Sequence, residues 1–174
     1  MRDATRILRS TLSPAVAGSP LHAGPVFAGP FHTPGDPAVA ADSYARSHNP
    51  TWTELERALG EMQSGPEYRA EVRVFASGMA ACTAVFGAVL RPGDVVVMPA
   101  NGYFVARRLV QEYFRAMGAT LRTATTAEEI QAVLLDGAKL LWIETPSNPP
   151  MEIHDIATFC NLAHELGTLV AVDN

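Results

Sequence analysis

The sequence predicts an α/β protein whose mostly parallel sheet is covered by helices on both faces, with an extended N-terminal arm in front of it. Short unbroken apolar runs recur along the chain, at residues 95–98, 140–143 and 169–172. Longer segments with helical period separate these runs, which is the alternation typical of parallel α/β sheets. Residues 10–42 are instead rich in Pro, Gly and Ala and keep neither period for long.

Residues 1–51 are predicted to form the arm, and residues 52–174 the first part of a larger domain that is incomplete at its C-terminus. Many of the thirteen prolines lie in the arm. Each proline fixes φ and removes an N–H donor, which disfavours helix and inner strand. We therefore expect an extended segment that lies on another surface, such as a second subunit.

The first helix is predicted to begin near residue 52. Thr51 and Glu54 have the spacing of a capping box. Leu55, Leu59 and Met62 recur at helical period behind them, and the helix should end near residue 65.

The remaining segments alternate between strand and helix. The sequence predicts strands at residues 72–75, 95–98, 121–123, 140–143 and 169–173, and helices at residues 79–90, 103–117, 126–135 and 155–166. Thr126 and Asp155 are the predicted N-caps of the last two helices. Unbroken apolar strands are typical of a sheet that is buried on both faces.

The composition argues against several classes of function. A formal net charge of −5 leaves no basic excess to neutralise nucleic-acid phosphates. No apolar run approaches the length of a membrane span, and the first ten residues lack the apolar core of a secretion signal. We therefore predict a cytoplasmic protein that binds neither nucleic acid nor a membrane.

The cysteines and histidines do not form a metal-binding pattern. Cys82 and Cys160 lie far apart in apolar surroundings and are predicted to be reduced, as in cytoplasmic proteins. His22, His32 and His48 lack the spacing of metal ligands, so no metal site is predicted.

Four loops should line the edge of the sheet where the strands end. They comprise residues 77–79, 101–103, 144–149 and 173–174. In an open α/β sheet, ligands bind outside the carboxyl ends of the strands. The sequence has no P-loop and no dinucleotide glycine fingerprint, which argues against a nucleotide-binding domain.

Each candidate residue has a functional and a structural interpretation. Gly78 follows Ser77 at the start of a helix, where free amides could bind a phosphate or the serine could simply cap the helix. Tyr103 could stack on a flat ring or pack in the core. Asn148 could donate to a ligand oxygen or form a turn. Asp173 could pair with a protonated ring nitrogen, since burying it without a partner is costly, or cap a following helix.

Four ordered motifs resemble the Cys/Met-metabolism family of pyridoxal 5'-phosphate (PLP) enzymes, which includes cystathionine γ-lyase and cystathionine γ-synthase. The motifs are Tyr-Ala-Arg at 44–46 with Asn-Pro-Thr at 49–51, Ser-Gly-Met-Ala-Ala at 77–81, Glu-Thr-Pro-Ser-Asn-Pro at 144–149 and Val-Asp-Asn at 172–174. Four motifs in order are far more specific than one. The resemblance implies a PLP-transferase fold of type I, with this chain forming the front part of the large domain.

The resemblance also implies a cofactor site at these loops. Ser77, Gly78 and Met79 match the residues that bind the cofactor phosphate. The helix N-terminus independently allows this role, because its free amides favour an anion.

Further roles follow from the same resemblance. Tyr103 matches the tyrosine that stacks on the pyridine ring and assists proton transfer, and would be catalytic. Asn148 would donate to the phenolic oxygen of the ring, and Asp173 would pair with the ring nitrogen. Tyr44 and Arg46 match the pair that reaches the cofactor of a neighbouring subunit, which implies a homodimer or homotetramer.

The implied activity is that of a PLP-dependent carbon–sulfur lyase of sulfur amino-acid metabolism, which cleaves cystathionine to cysteine, 2-oxobutanoate and ammonia. The alternatives are a cystathionine γ-synthase acting on an activated homoserine, and a catalytically incomplete fragment. Phe104, Val105 and Ala106 depart from the Gly-Gly-Thr or Gly-Cys-Thr run of the family. Methionine γ-lyases carry a cysteine at the position of Val105, which makes that activity less favoured.

The family requires a Schiff-base lysine, which lies downstream of the residue matching Asp173. The chain has one lysine, Lys139, at the start of a predicted strand. It should therefore be exposed at the amino-terminal edge of the sheet, opposite the candidate loops. We expect the 174 residues by themselves to be inactive.

Overall fold

The computed structural model describes residue 5, residues 9–27 and residues 29–174 of the chain. It divides into two compact units, Met1–Phe75 and Ala76–Asn174. The predicted division between arm and larger domain, at residues 51 and 52, stays a prediction.

The first unit contains helix α1, which spans Pro50–Gln63. Asn49 is its N-cap: the side chain accepts a hydrogen bond of 2.9 Å from the Thr51 amide, and Pro50 occupies the first turn. The predicted capping box of Thr51 and Glu54 is therefore wrong. An asparagine followed by proline starts the helix two residues earlier than predicted. The Thr51 hydroxyl instead accepts from the Val26 amide at 2.8 Å.

The arm residues of this unit form little regular structure, as predicted. A short 3₁₀ turn spans Pro37–Val39, and an isolated antiparallel bridge joins Pro30 to Tyr44.

The predicted strand at residues 72–75 is wrong. A strand requires a hydrogen-bonded neighbour, and within the described part of the chain no strand pairs with this segment. The Val74 amide donates to the Glu56 side chain at 2.9 Å instead. Val74 and Phe75 are 42% and 45% exposed.

The second unit alternates strand and helix, as predicted. Its elements are α2 (Gly78–Val89), β1 (Val95–Pro99), α3 (Phe104–Leu109) continued by a π-helical segment (Val110–Phe114), β2 (Thr120–Ala124), α4 (Ala127–Leu135), β3 (Leu140–Glu144), α5 (Ile156–Glu165) and β4 (Leu169–Asp173). Thr126 caps α4 in a complete capping box with Glu129, and Asp155 caps α5, which confirms both predicted caps.

Within the described residues the sheet has four strands in the order β2-β1-β3-β4, and every pairing is parallel. Alternate side chains of a strand point to opposite faces, and helices cover both. On one face Met98 and Trp142 pack with residues of α2 and α3. On the other Val97 and Ile143 pack with residues of α4 and α5. The predicted parallel sheet with helices on both faces is confirmed.

The strand register sets the two edges of the sheet. At the carboxyl edge, Glu144 of β3 lies opposite Asp173 of β4, and Pro99 of β1 lies opposite Ala124 of β2. Lys139 immediately precedes β3 at the other edge and is exposed, as predicted. Strand β4 is at the end of the strand order, and its side chains are partly exposed.

Candidate active site

The start of helix α2 combines a serine cap with two free amides. The Ser77 hydroxyl accepts from the Ala80 amide at 3.1 Å, so the capping interpretation is correct. Within the described residues, no acceptor pairs with the amides of Gly78 and Met79. A Cβ at Gly78 would meet no atom within 4 Å, so this helix end is open. It therefore has the donors and the space that an anion needs.

A buried carboxylate connects the loop after β1 to the loop after β3. Glu144 is 5% exposed. One of its oxygens, Oε2, accepts from the Tyr103 amide, and the other, Oε1, accepts from the Asn148 amide, both at 2.6 Å. The two candidate residues are thus held by the two oxygens of one side chain.

Sequence reasoning missed this role of Glu144. The available signal was its position as a carboxylate directly after an unbroken apolar strand. Such a group needs hydrogen-bond partners when it is buried.

The loop before Tyr103 fits closely around this carboxylate. A Cβ at Gly102 would lie 2.6 Å from Glu144 Oε2 and 2.8 Å from Pro99 Cγ, so glycine is required there for space. Arg107 also holds the loop, because its guanidinium donates to the carbonyl oxygens of Pro99 and Gly102.

The contacts of Tyr103 agree with the structural interpretation, and its stacking on a ligand ring stays a prediction. Tyr103 is partly buried and packs against the core cluster of α2 and α3, as the structural interpretation requires. Met79 contacts the same cluster, so this core connects the Tyr103 loop with the start of α2.

The loop after β3 presents Asn148 from a firmly held backbone. Ser147 is fully buried, its amide donates to the Glu152 carbonyl at 2.9 Å and its hydroxyl accepts from the Glu152 amide at 3.0 Å. The Thr145–Pro146 and Asn148–Pro149 peptide bonds are cis. The Asn148 residue is exposed. The side-chain amide of Asn148 therefore lies outside the core, at the carboxyl edge of the sheet.

Asp173 is exposed, which corrects the argument that its carboxylate must bear a cost of burial. Strand β4 lies at the end of the described sheet, so no further strand covers it. Its main chain is fixed, because the Asp173 carbonyl accepts from the Thr145 amide at 3.0 Å. The pKa of the Cys82 thiol is raised, chiefly by burial and next by the negative charge of Asp173. This places the Asp173 carboxylate within electrostatic range of helix α2.

In the second unit Tyr103, Asn148 and Asp173 lie at the carboxyl ends of strands, and Met79, which follows Ser77 and Gly78, packs against the same core cluster as Tyr103. These are six of the eight candidate residues. Tyr44 and Arg46 belong to the first unit. The Arg46 guanidinium carbon lies 5.2 Å from the centre of the Tyr44 ring, a cation–π distance, and Tyr44 is 47% exposed.

The described residues can be searched for a metal-binding group and for a membrane-spanning helix, neither of which is predicted. Among them no three His, Cys, Asp or Glu side chains form a group suited to a metal ion. No helix in this part of the chain has the length and apolar character needed to cross a membrane. Cys82 and Cys160 are free thiols.

Comparison with known proteins assigns the chain to a family. The family described as "Cys/Met metabolism PLP-dependent enzyme" matches residues 32–174. A Streptomyces coelicolor protein named "Putative cystathionine gamma-lyase" is 49% identical over 99% of this chain. A cystathionine gamma-synthase of Mycobacterium tuberculosis is 36% identical over 75% of it. The chain spans 43% and 33% of the lengths of these relatives.

The solved structures agree with the sequence relatives. The crystal structure of cystathionine gamma synthase from Xanthomonas oryzae pv. oryzae, in complex with aminoacrylate and cysteine, superposes with a TM-score of 0.88 and 31% identity. The match covers all of this chain and 44% of that one. The chain belongs to the Cys/Met-metabolism family of PLP-dependent enzymes.

Proposed function

We propose that this protein binds PLP and acts as a carbon–sulfur lyase that cleaves cystathionine to cysteine, 2-oxobutanoate and ammonia. The observation that carries the proposal is an open helix N-terminus whose Met79 packs against the same core cluster as Tyr103, together with exposed Asn148 and Asp173 at the carboxyl ends of strands. The 49% identity to a protein with a cystathionine gamma-lyase name supports this choice of reaction.

The residues present fit the chemical groups of PLP. The amides of Gly78 and Met79, with the Ser77 cap, would bind the phosphate at an N-terminus whose dipole favours an anion. The Tyr103 ring would stack on the pyridine ring. Asn148 would donate to the phenolic oxygen.

Asp173 would supply the charge that the ring nitrogen needs. A carboxylate close to that nitrogen keeps it protonated. When bound, the cofactor supplies an electron-withdrawing ring that stabilises negative charge on the substrate carbon. The Tyr103 phenol would hold or transfer a proton near that carbon.

The covalent attachment of the cofactor requires a lysine at the carboxyl edge of the sheet. Lys139 is exposed at the opposite edge and cannot fill that role. The proposal therefore needs a lysine from outside these 174 residues, which span 43% of the length of the lyase relative.

A cystathionine γ-synthase is the second candidate, because relatives with that name also match. It would use the same cofactor-binding residues for γ-replacement on an activated homoserine. Residue 105 is a valine, where methionine γ-lyases carry a cysteine, so methionine γ-lyase is the less favoured activity. This residue does not distinguish the lyase reaction on cystathionine from the synthase reaction.

We propose a homodimer or homotetramer in the cytoplasm. Tyr44 and Arg46 would bind the cofactor phosphate of a neighbouring subunit. The Arg46 guanidinium, which lies over the exposed Tyr44 ring, would supply the positive charge that a phosphate needs. The two free thiols, Cys82 and Cys160, are consistent with a reducing compartment.

The test uses the protein expressed from its complete gene and saturated with PLP. We expect a yellow protein whose visible absorption disappears on borohydride reduction, and which releases 2-oxobutanoate from cystathionine. Faster formation of cystathionine from cysteine and an activated homoserine would select the synthase instead. A colourless protein at saturating PLP would refute both activities.

A further inference from the structure

We propose that Glu144 is a positioning residue that holds the Tyr103 and Asn148 loops at the separation at which they bind the cofactor. The inference rests on the proposed function. It assigns a role to a side chain that would not itself contact the cofactor.

The first support is the geometry of the carboxylate. A carboxylate can accept hydrogen bonds on both of its oxygens, and Glu144 uses one for each loop. Both bonds are 2.6 Å long, and bonds from backbone amides to a carboxylate are charge-assisted. The two loops follow β1 and β3, which are neighbours in the sheet.

The second support is the burial of an anionic side chain without a countercharge. Within the described residues, Glu144 forms no ion pair with a basic side chain. Among the described residues, no other aspartate or glutamate is buried. Burying an unpaired carboxylate is costly, so the two amides must compensate. An apolar residue at the end of β3 would avoid that cost but would leave both amides without this acceptor.

The third support is the space around the carboxylate. Gly102 leaves no room for a Cβ between Pro99 and Glu144 Oε2. The loop backbone therefore lies directly against the carboxylate. One other side-chain link joins the two loops, a bond from the Asn101 amide group to Glu152, and both of its residues have greater exposure than Glu144. Glu144 is thus the buried link between the loops.

The substitution Glu144→Gln keeps the size of the side chain and removes one acceptor. A glutamine has one carbonyl oxygen, and its NH₂ group would face a backbone N–H, so one loop loses its partner. Loss of a hydrogen bond to a charged group corresponds to an effect of about tenfold or more.

The chain provides a matched control, Glu129→Gln. Glu129 also accepts from two backbone amides, those of Thr125 and Thr126, but at the start of α4 and on the protein surface. Both amides donate to one oxygen, Oε2, so the carbonyl oxygen of a glutamine can keep both bonds. The same substitution there removes the negative charge from a carboxylate that accepts from backbone amides, without changing the loops that would bind the cofactor.

The experiment measures two quantities on the protein from its complete gene. The first is residue-resolved hydrogen–deuterium exchange in the PLP-free protein. We expect the Tyr103 or Asn148 amide to exchange about tenfold faster in Glu144→Gln, and neither to change in Glu129→Gln. The second is the Kd for PLP, which we expect to rise about tenfold in Glu144→Gln alone.

A second variant, Gly102→Ala, keeps the charge of Glu144 and displaces it sterically. It should reproduce the weaker PLP binding even if Glu144→Gln does not fold. If either folded variant binds PLP as tightly as the unmodified protein, the inference is wrong while the proposed function stands. If the unmodified protein itself does not bind PLP, the proposed function is wrong and the inference falls with it.

Discussion

Glu144 and Asp173 lie directly opposite each other at the carboxyl ends of the parallel strands β3 and β4, one buried and the other exposed. Their environments differ because Glu144 accepts from two loop amides, whereas the Asp173 side chain is open to solvent. Differences in burial and hydrogen bonding can thus give two carboxylates at the same edge of a sheet different roles. Glu144 holds the backbone, and Asp173 is available to a cationic ligand group.

We predict that Asp173→Ala abolishes turnover while PLP still binds. Removing the carboxylate removes the charge that would keep the ring nitrogen protonated, and electrostatic effects of this kind reach about 100-fold or more in kcat. The phosphate contacts at α2 would remain. The measurement is kcat at saturating PLP together with the Kd for PLP, with Asp155→Ala, an exposed helix cap, as the control. Full activity in the Asp173 variant would refute the assigned role.

The Cys82 thiol should make stability fall at alkaline pH. Its pKa is raised, first by burial and then by the charge of Asp173. The unfolded chain therefore loses the thiol proton at a lower pH than the folded protein does. The stabilising contribution is complete below the ordinary thiol pKa of about 8.5 and is lost as pH rises through the higher folded value.

The measurement is the free energy of unfolding of the PLP-free protein between neutral pH and about pH 10, a range that begins below the ordinary thiol pKa and ends above it. We expect a decrease of at most about 1.4 kcal/mol per pH unit from this group. Cys82→Ala should reduce the slope, and Asp173→Asn should reduce it by less, because burial is the larger cause. An unchanged slope in Cys82→Ala would contradict the prediction.

Most of the sheet could be predicted because three of its four described strands are largely apolar runs that differ clearly from the segments between them. Residues 95–98, 140–143 and 169–173 each became a strand. The segment at residues 72–75, Val-Arg-Val-Phe, is also mostly apolar, yet it forms no strand. Whether an apolar run becomes a strand depends on a partner elsewhere in the chain, which local pattern does not reveal.

The linking role of Glu144 could not be predicted for a related reason. Its hydrogen bonds depend on the strand order, in which β1 and β3 are neighbours although β2 lies between them in sequence. Local chemistry was more predictable, as the caps at Thr126 and Asp155 show. The start of α1 was mispredicted because Thr51 and Glu54 have the spacing of a capping box, while Asn49 supplies the cap.

Phe86→Ala should be among the most destabilising core substitutions in the second unit. Phe86 is fully buried, and its ring centre lies 4.9 Å from that of Trp142 and 5.7 Å from that of Phe114. Truncation would remove these contacts and leave a cavity, at a cost of about 3–5 kcal/mol. Urea unfolding of the PLP-free protein measures the loss. The control is Met117→Ala, at a residue 53% exposed, for which we expect a change within about 0.5 kcal/mol. Equal effects of the two substitutions would show that Phe86 is not central to this core.

Arg46 should act on the cofactor of a neighbouring subunit, and mixed oligomers test this. Arg46→Ala and Asp173→Ala subunits would each be inactive alone. In a mixed dimer, the site that contains the intact Asp173 would receive Arg46 from the Asp173→Ala partner, so one complete site is restored.

Random mixing of the two variants should therefore restore roughly a quarter of the sites, since half of the dimers are mixed and each has one intact site of two. The measurement is the activity of co-expressed subunits against the same subunits purified separately and mixed without exchange. If Arg46 instead binds the cofactor of its own subunit, every site in the mixed dimer carries one substitution. Activity in the co-expressed sample would then stay at the level of the separate variants, and the proposed role of Arg46 between subunits would be refuted.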